Sequence, residues 1–268
     1  MQLKLKGILE KENIEYFSVI PFEVCKIVNP RLLNALKFSP KSIIIFLMPY
    51  YTGEAVNLSR YAISHDYHSI FHEISTRISD ELSICFPSAN LAPFCDHSPI
   101  DERAAAACAG LGFVGENRLL INEKYGSYVF VGEIITDIDE DEIGSFPKNS
   151  LTNCIGCQKC KAACPTKSLE NHENECLSAI TQRKGTLSDS EVEIMRKINT
   201  VWGCDVCQTV CPHNKSPELT PISAFYEERM DILTSQMLSE MTDVQFSQRA
   251  YAFRKIETIK RNLQKLGY

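Results

Sequence analysis

Eight of the chain's twelve cysteines fall between Cys154 and Cys211, and this crowding constrains the fold more than any other feature. The first run, CIGCQKCKAACP over residues 154–165, follows the pattern C-x2-C-x2-C-x3-C-P. That pattern is typical of bacterial ferredoxins, in which three thiolates on one tight loop bind one 4Fe–4S cluster and the fourth binds a second cluster. The sequence therefore predicts a segment that folds around inorganic clusters.

The second run, CDVCQTVCP over residues 204–212, repeats this pattern without its first cysteine, because Val201 stands at that position. A 4Fe–4S cluster still needs four ligands, and Cys176 between the two runs is the obvious substitute. Cross-over pairing of the two runs then uses all eight cysteines. One cluster is predicted to take Cys154, Cys157, Cys160 and Cys211, and the other Cys164, Cys176, Cys204 and Cys207.

Structural zinc is the alternative interpretation, since paired C-x2-C motifs also bind zinc. Zinc sites do not require three cysteines at this spacing followed by x3-C-P, so two 4Fe–4S clusters are favoured. The remaining cysteines stand singly in the first half of the chain, and we expect them to be buried small apolar side chains. They are Cys25, Cys85, Cys95 and Cys108.

The composition of the 268 residues is that of an ordinary globular protein, with 44% hydrophobic residues and a net charge of −6. An acidic chain is not a general nucleic-acid coat protein, although a local basic patch remains compatible with this charge. The longest nearly pure apolar run, Ile43–Met48, is too short to cross a bilayer. The first residues carry scattered charges and no signal-peptide pattern, so we expect a cytoplasmic protein without a membrane segment.

Apolar periodicity divides the chain into predicted elements. Helices are predicted over residues 1–17, 66–86, 101–111 and through 222–268, with a buried strand over 42–49 and a hairpin within 119–137 that turns at 123–126. Alternating strands and helices in residues 1–140 indicate an α/β or α+β layer domain. We expect three parts: residues 1–145, the cysteine module 146–220, and a helical segment 221–268.

The first part has no glycine-rich phosphate loop, which leaves a nucleotide site unsupported. Its notable feature is a series of polar residues in apolar surroundings. They are Ser59-Arg60-Tyr61, Asp66-Tyr67-His68, Asp96-His97-Ser98-Pro99, Glu102-Arg103 and Gly115-Glu116-Asn117.

Several longer segments carry these residues in an order typical of one family. They are SRYAISHDYH (59–68), CDHSPIDER (95–103), AGLGFVGENRLLINEKYGSYVFVGEIITD (109–137), CLSAITQRKG (176–185) and WGCDVCQTVCPHNK (202–215). Together with the first cysteine run they resemble epoxyqueuosine reductase, the cobalamin-dependent iron–sulfur enzyme of the last step in making the tRNA nucleoside queuosine. The resemblance implies a cobalamin-binding α/β domain related to that of reductive dehalogenases. A ferredoxin-like module with two 4Fe–4S clusters and C-terminal helices would follow it.

The resemblance also implies site residues. Asp96 is the only match to the family's aspartate proton donor, and such an acid must be protonated near neutral pH. We therefore expect Asp96 in a mostly apolar pocket beside the corrin, where burial would raise its pKa. Further cofactor contacts are expected from Ser59, Arg60, Tyr61, His68 and Asn117, and at the corrin edge from Gln182 and Lys184.

The implied activity is reduction of epoxyqueuosine to queuosine at the wobble position of a tRNA anticodon. It needs two electrons and two protons; the clusters, fed by an external donor, would reduce cobalamin to cob(I)alamin. Residues 246–268 carry six basic residues against Glu257 alone, and this patch is the expected contact with the anticodon arm of tRNA. A solvated amphipathic helix is the alternative for this segment. We expect a monomer.

The chain departs from the family in three respects. We expect it to lack the helical-repeat domain of many members, Glu116 replaces an expected lysine, and Ala179 replaces a frequent tyrosine. Two other functions therefore stay open: a cobalamin-dependent reductase acting on a small molecule, and an electron carrier whose first domain only docks a partner.

Overall fold

A four-stranded antiparallel sheet organises the first half of the chain in the computed structural model, which describes residues 2–144 and 153–268. The strands are β1 (Phe17–Pro21), β2 (Ser42–Pro49), β3 (Leu91–Phe94), β4 (Phe113–Val114), β5 (Leu120–Ile121) and β6 (Val129–Thr136). The sheet runs in the order β1-β2-β6-β3, while β4 and β5 form a separate pair. The predicted strand over 42–49 is confirmed, and it is buried along its whole length as its unbroken apolar run requires.

Helices cover both faces of this sheet. The first-half helices are α1 (Gln2–Lys11), α2 (Pro30–Ala35), α3 (Tyr67–Cys85), α4 (Glu102–Cys108) and α5 (Glu140–Ile143). Helices α1 and α3 pack on the face that carries Ile44, Phe46 and Ile134, and α4 packs on the opposite face. The result is a three-layer α+β arrangement, in agreement with the predicted class.

Two predicted elements in this half need correction. The helix predicted over 1–17 ends at Lys11, because the chain turns at Asn13 (φ 57°) and then enters β1. Asparagine tolerates the left-handed conformation that ends the helix. The predicted hairpin is wrong, because β5 and β6 do not pair with each other. Strand β5 pairs with β4, and β6 pairs with β2 and β3. A single bridge, Asn122↔Gly126, forms at the predicted turn.

Short helices make up the second half of the chain. They are α6 (Lys159–Ala163), α7 (Leu177–Gln182), α8 (Asp189–Ile198), α9 (Val206–Thr209), α10 (Ser235–Glu240), α11 (Asp243–Ser247) and α12 (Ile256–Leu266). The helical prediction for 222–268 is confirmed as separate short helices. One buried cluster joins Leu58, Trp202 and Leu263, so all three expected parts share a core; their boundaries stay a prediction. Within the described ranges, no helix is long and apolar enough to cross a membrane.

A tight polar joint fixes the cysteine module against the sheet. The amide of Asn214 accepts a hydrogen bond from the Ser127 backbone N–H (2.7 Å) and donates one to the Ser127 hydroxyl (2.7 Å). The joint closes over Gly126, whose φ is +58° and where a Cβ would lie 2.0 Å from the Asn214 side-chain oxygen. Only glycine therefore allows the two segments to approach this closely.

We predict that Gly126→Ala lowers the melting temperature far more than Gly185→Ala. Both glycines have positive φ, but nothing lies within 4 Å of a Cβ at Gly185. Gly185→Ala should thus carry only the left-handed backbone cost of about 1–2 kcal/mol, whereas Gly126→Ala must also break the joint. Differential scanning calorimetry of the cluster-loaded variants measures both. Equal melting temperatures would show that the joint does not hold the two parts together.

Candidate active site

A cavity of about 580 Å³ lies between one edge of the sheet and the cysteine module; we call it the central cavity. Strands β2 and β3 both run antiparallel to β6, so their carboxyl ends meet at this same edge. The segments that follow them carry Ser59 and Tyr61 after β2, and Asp96 after β3, and all three side chains line the cavity. The alternation of strand and loop thus brings together polar residues that are far apart in the chain.

Four cysteines line the opposite wall of the central cavity. They are Cys164, Cys176, Cys204 and Cys207, the group predicted to hold one cluster. Burial, together with the neighbouring Cys176, Asp205 and Cys164 groups, raises the pKa of the Cys204 thiol to about 12. These thiols can hold an anionic charge only if a cation such as iron compensates it. We refer to this set as the inner cysteine group.

The other four cysteines gather around a separate small space lined also by Glu116, Asn117 and His213. They are Cys154, Cys157, Cys160 and Cys211, and we refer to them as the outer cysteine group. Burial and the neighbouring Cys157 and Cys154 thiols raise the pKa of Cys211. The cross-over pairing predicted from the two runs therefore agrees with the spatial grouping of all eight side chains.

A zinc ion and a 4Fe–4S cluster place different demands on the spacing of their cysteine ligands. Among the residues that the structure describes, no three His, Cys, Asp or Glu side chains stand close enough to hold a single metal ion. A tetrahedral zinc site would require four ligand atoms within about 2.3 Å of one centre. A 4Fe–4S cluster separates its ligands more widely, since each thiolate binds a different iron.

Asp96 lies in the loop that follows β3, and its backbone adopts a left-handed conformation with φ 62°. Its carboxylate accepts a hydrogen bond from the Tyr67 hydroxyl, and His68 Nε2 lies 3.8 Å away. The Tyr67 ring stacks on Phe130 with centroids 3.9 Å apart, which fixes the hydroxyl. Asp96 lines the central cavity, whose wall is mainly apolar, but 47% of its side chain is exposed, so the burial expected for it is not observed.

Glu102 is a partly buried acid beside Asp96. Its carboxylate accepts a hydrogen bond from the Asp96 backbone N–H at 2.9 Å, which ties the strained loop to the first turn of α4. Burial, followed by the charge of Asp96, raises the pKa of Glu102 to about 7. Sequence analysis named Glu102 as one of the notable polar residues but assigned it no role. The spacing of residues around it gives no sign that its side chain is partly buried.

A buried ion pair connects the segment after β2 to the inner cysteine group. Asp205, between Cys204 and Cys207, accepts hydrogen bonds from the Ser59 hydroxyl and from the Arg60 backbone N–H (2.7 Å). The Arg60 guanidinium donates to the same carboxylate at 3.1 Å. Sequence reasoning missed Asp205, although an acid between two cluster ligands is a recognisable signal.

The predicted cofactor contacts separate into two sets. Ser59, Tyr61, Asp96 and Asn117 line the central cavity, and Asn117 Nδ2 is buried without a hydrogen-bond partner. Arg60 faces Asp205 and Glu54 rather than the cavity. The His68 ring donates from Nδ1 to the Asp66 carboxylate (2.8 Å) and borders the cavity only through Asp96.

The two residues expected at the corrin edge lie elsewhere. Gln182 Nε2 donates a hydrogen bond to the Tyr61 hydroxyl at 3.1 Å. Gln182 therefore helps to position Tyr61, which lines the central cavity, without lining the cavity itself. Lys184 lines a different depression of about 510 Å³, which we call the basic cleft. The basic cleft is lined by Lys184, Arg254, Lys255, Arg261 and Lys265, with Glu257 as its acid.

The structure also shows where Glu116 and the four single cysteines lie. Glu116 forms an ion pair with Lys161 at 2.5 Å, so the acid that replaces an expected lysine contacts the outer cysteine loop. Of the four single cysteines, only Cys95 is buried. Cys25 and Cys85 are partly buried, and Cys108 is exposed because it ends the short helix α4 on its solvent side.

The comparisons with known proteins agree with this architecture. Residues 153–214 match a family model described as a 4Fe-4S double cluster binding domain. An epoxyqueuosine reductase of Synechocystis sp. is 31% identical over 258 residues, which cover 88% of this chain and 87% of that protein. One of Lactococcus garvieae is 35% identical over 178 residues, covering 62% of this chain and 48% of that protein.

The fold and the cysteine groups thus define an iron–sulfur protein that binds two 4Fe–4S clusters. The chain belongs to the epoxyqueuosine reductase family. It spans about half the length of the Lactococcus garvieae relative.

Solved structures share the fold of the whole chain. The epoxyqueuosine reductase of Streptococcus thermophilus matches with a TM-score of 0.77 and 22% identity, over 99% of this chain and 80% of that one. An epoxyqueuosine reductase crystallised with an epoxyqueuosine-modified tRNA-Tyr stem loop matches with a TM-score of 0.75 and 24% identity, over 99% and 80%. A catabolic reductive dehalogenase matches with a TM-score of 0.51 and 16% identity, over 98% and 37%. The fold expected from the resemblance is therefore confirmed.

We predict that Cys176→Ala halves the iron content of the reconstituted protein, from roughly eight to roughly four atoms per chain. Cys176 lies outside both C-x2-C runs, and its place in the inner cysteine group is the observation that supports its predicted role as a ligand. Cys108→Ala is the matched control, because Cys108 is exposed and lies apart from both groups. Iron analysis and electron paramagnetic resonance of the reduced proteins measure the loss. An unchanged iron content in Cys176→Ala would contradict the assigned ligand set.

Proposed function

We propose that this chain reduces epoxyqueuosine to queuosine in tRNA, with cobalamin in the central cavity and electrons supplied through the two clusters. One observation carries the proposal: the central cavity has a candidate proton donor, Asp96, on one wall and the inner cysteine group on the other. A redox cofactor between them would receive electrons from one side while protons reach the substrate from the other. Family membership supplies the substrate, and the relatives' names support it.

Cobalamin suits the residues of the central cavity. A corrin presents an apolar ring with amide groups at its edge, and the cavity wall is mainly apolar, with residues such as Leu119, Leu120 and Val129. The buried, unpartnered Asn117 Nδ2 supplies a hydrogen-bond donor that such an amide would satisfy. Ser59 and Tyr61 add hydroxyls on the β2 side. When bound, cobalamin supplies the low-potential two-electron chemistry that amino-acid side chains cannot perform.

The protein's own groups would then manage protons. The Tyr67 hydroxyl holds the Asp96 carboxyl in place, and burial and the charge of Asp96 raise the Tyr67 pKa, so the phenol stays protonated. Glu102 holds the backbone of the same loop. Asp96 is thereby positioned to protonate the leaving oxygen, which is the step that a general acid accelerates in such a reduction.

The basic cleft is the proposed contact for the phosphate backbone of the anticodon arm. Two of the six basic residues expected there have structural roles: Arg249 is buried and donates to the Glu228 carbonyl (2.7 Å), and Arg261 donates to the Gly185 carbonyl (2.6 Å). Lys184, Lys255 and Lys265 leave their ammonium groups free of ion pairs in the described structure and line the cleft. Positive charge concentrated in a depression suits a polyanion on an otherwise acidic protein.

We predict that Asp96→Asn lowers queuosine formation by about 10²–10⁴-fold while leaving cobalamin binding intact. The amide keeps the size of the side chain but carries no proton to transfer. Asp80→Asn, at an exposed position on α3, is the control and should behave as wild type. Mass spectrometry of nucleosides from epoxyqueuosine-containing tRNA measures the product. Wild-type turnover by Asp96→Asn would remove Asp96 from the mechanism.

We predict that replacing Lys184, Lys255 and Lys265 with glutamine weakens tRNA binding and flattens its salt dependence. Three lost phosphate contacts should reduce the slope of log K against log salt by about 2. The control variant replaces the exposed Lys4, Lys6 and Lys37, which gives the same net charge far from the cleft. Filter binding at several salt concentrations compares the two. An equal effect of both triple variants would mean that only net charge matters and that the basic cleft is not the contact.

A further inference from the structure

Glu133 is a fully buried acid close to the central cavity, and the mechanism above does not use it. It lies in the middle of β6, opposite Ile45 of β2 and Phe94 of β3, with 0% of its surface exposed. Its side chain points to the same face as Val131 and Ile135, into an aliphatic cluster. A charge there would lose its hydration without compensation.

One hydroxyl is the only hydrogen-bond partner of Glu133 in the described structure. Its Oε2 lies 2.6 Å from Ser98 Oγ, while its Oε1 is buried without a partner. Ser98 is itself 5% exposed and lines the central cavity, two residues after Asp96. The serine hydroxyl therefore links a wholly buried carboxyl group to the place where the reaction is proposed to occur.

The groups around Glu133 favour its neutral form. Burial, together with the charges of Glu102 and Asp101, raises its pKa to about 8 against the lowering effect of the Ser98 hydrogen bond. The Cys25 and Cys95 thiols also face it and are themselves held neutral by burial. Within the described residues, no lysine, arginine or histidine forms an ion pair with Glu133.

We propose that Glu133 stores a proton that the Ser98 hydroxyl relays into the central cavity. The inference rests on the proposed function for its role: epoxide reduction breaks both C–O bonds, forms the alkene and releases the oxygen as water, consuming two electrons and two protons. The electrons come through the clusters from an external one-electron donor. Asp96 supplies one proton, and Glu133 supplies the other through Ser98. The Ser98 hydroxyl gives its own proton to the substrate side of the central cavity and receives the proton of Glu133 in its place.

The first test detects the proton on the Glu133 carboxyl group directly and needs no substrate. Infrared difference spectra of the cluster-loaded protein in H₂O and D₂O should contain a carboxylic-acid C=O band at pH 7 that disappears as the pH passes about 8. Glu133→Gln should remove this band, whereas Glu102→Gln should remove only a different one. In Ser98→Ala the band should persist at a shifted frequency, and its deuterium exchange should slow. Absence of any band that depends on Glu133, or unchanged exchange in Ser98→Ala, overturns the relay.

The second test measures turnover. Glu133→Gln keeps the shape of the side chain, and Ser98→Ala leaves Glu133 intact, so each separates proton supply from folding. Both should slow queuosine formation by roughly tenfold or more with little change in KM. Wild-type rates in both variants would overturn the supply of the second proton by Glu133. If the wild-type protein makes no queuosine while the infrared band behaves as expected, the proposed substrate fails but the relay stands.

Discussion

The carboxylate of Asp205 is the contact on which the arrangement of the central cavity depends. It binds the Ser59 hydroxyl and both the backbone and the guanidinium of Arg60, and it lies between two cysteines of the inner group. Both charged side chains are more than nine-tenths buried. Arg60 also pairs with Glu54, but Arg60 is the one ion-pair partner of Asp205 in the described structure, so loss of the Arg60 guanidinium would leave the buried carboxylate without a counter-charge and cost about 3–5 kcal/mol. Because this one carboxylate touches both sides, the inner cysteine group and the segment after β2 keep a fixed separation. The cavity is the space that this separation leaves open.

Acids in three different environments surround that space. Asp96 is half-exposed on a strained loop, Glu102 is partly buried beside it, and Glu133 is enclosed by aliphatic side chains. Burial raises the pKa of both Glu102 and Glu133 and so favours their neutral forms. Asp96 is instead fixed in position by two hydrogen bonds: its carboxylate accepts one from Tyr67, and its backbone N–H donates one to Glu102. Such separation of neighbouring acids by environment is how a protein assigns different proton-transfer roles to chemically similar groups.

The cysteine spacing alone predicted how the eight cysteines divide into two groups, because a 4Fe–4S cluster imposes a local pattern on its loop. The buried strand β2 and helix α3 were also predictable from periodicity, whereas the hairpin at 119–137 was not, since β6 pairs with strands distant in sequence. Asp96 followed from family resemblance, but its exposure did not. Glu133, Asp205 and the displacement of Lys184 into the basic cleft depend on tertiary contacts that leave no trace in local spacing.

Binding of cobalamin to the cluster-loaded protein tests the central claim most directly. We expect one cobalamin per chain, with the paramagnetic resonance of its Co(II) form broadened by the reduced cluster of the inner cysteine group. Leu119→Trp should block binding because Leu119 lines the central cavity, while Leu219→Trp, at an exposed position, should not. Failure to bind cobalamin, or binding that Leu119→Trp leaves unchanged, would contradict the assignment of the cavity as the site of reaction.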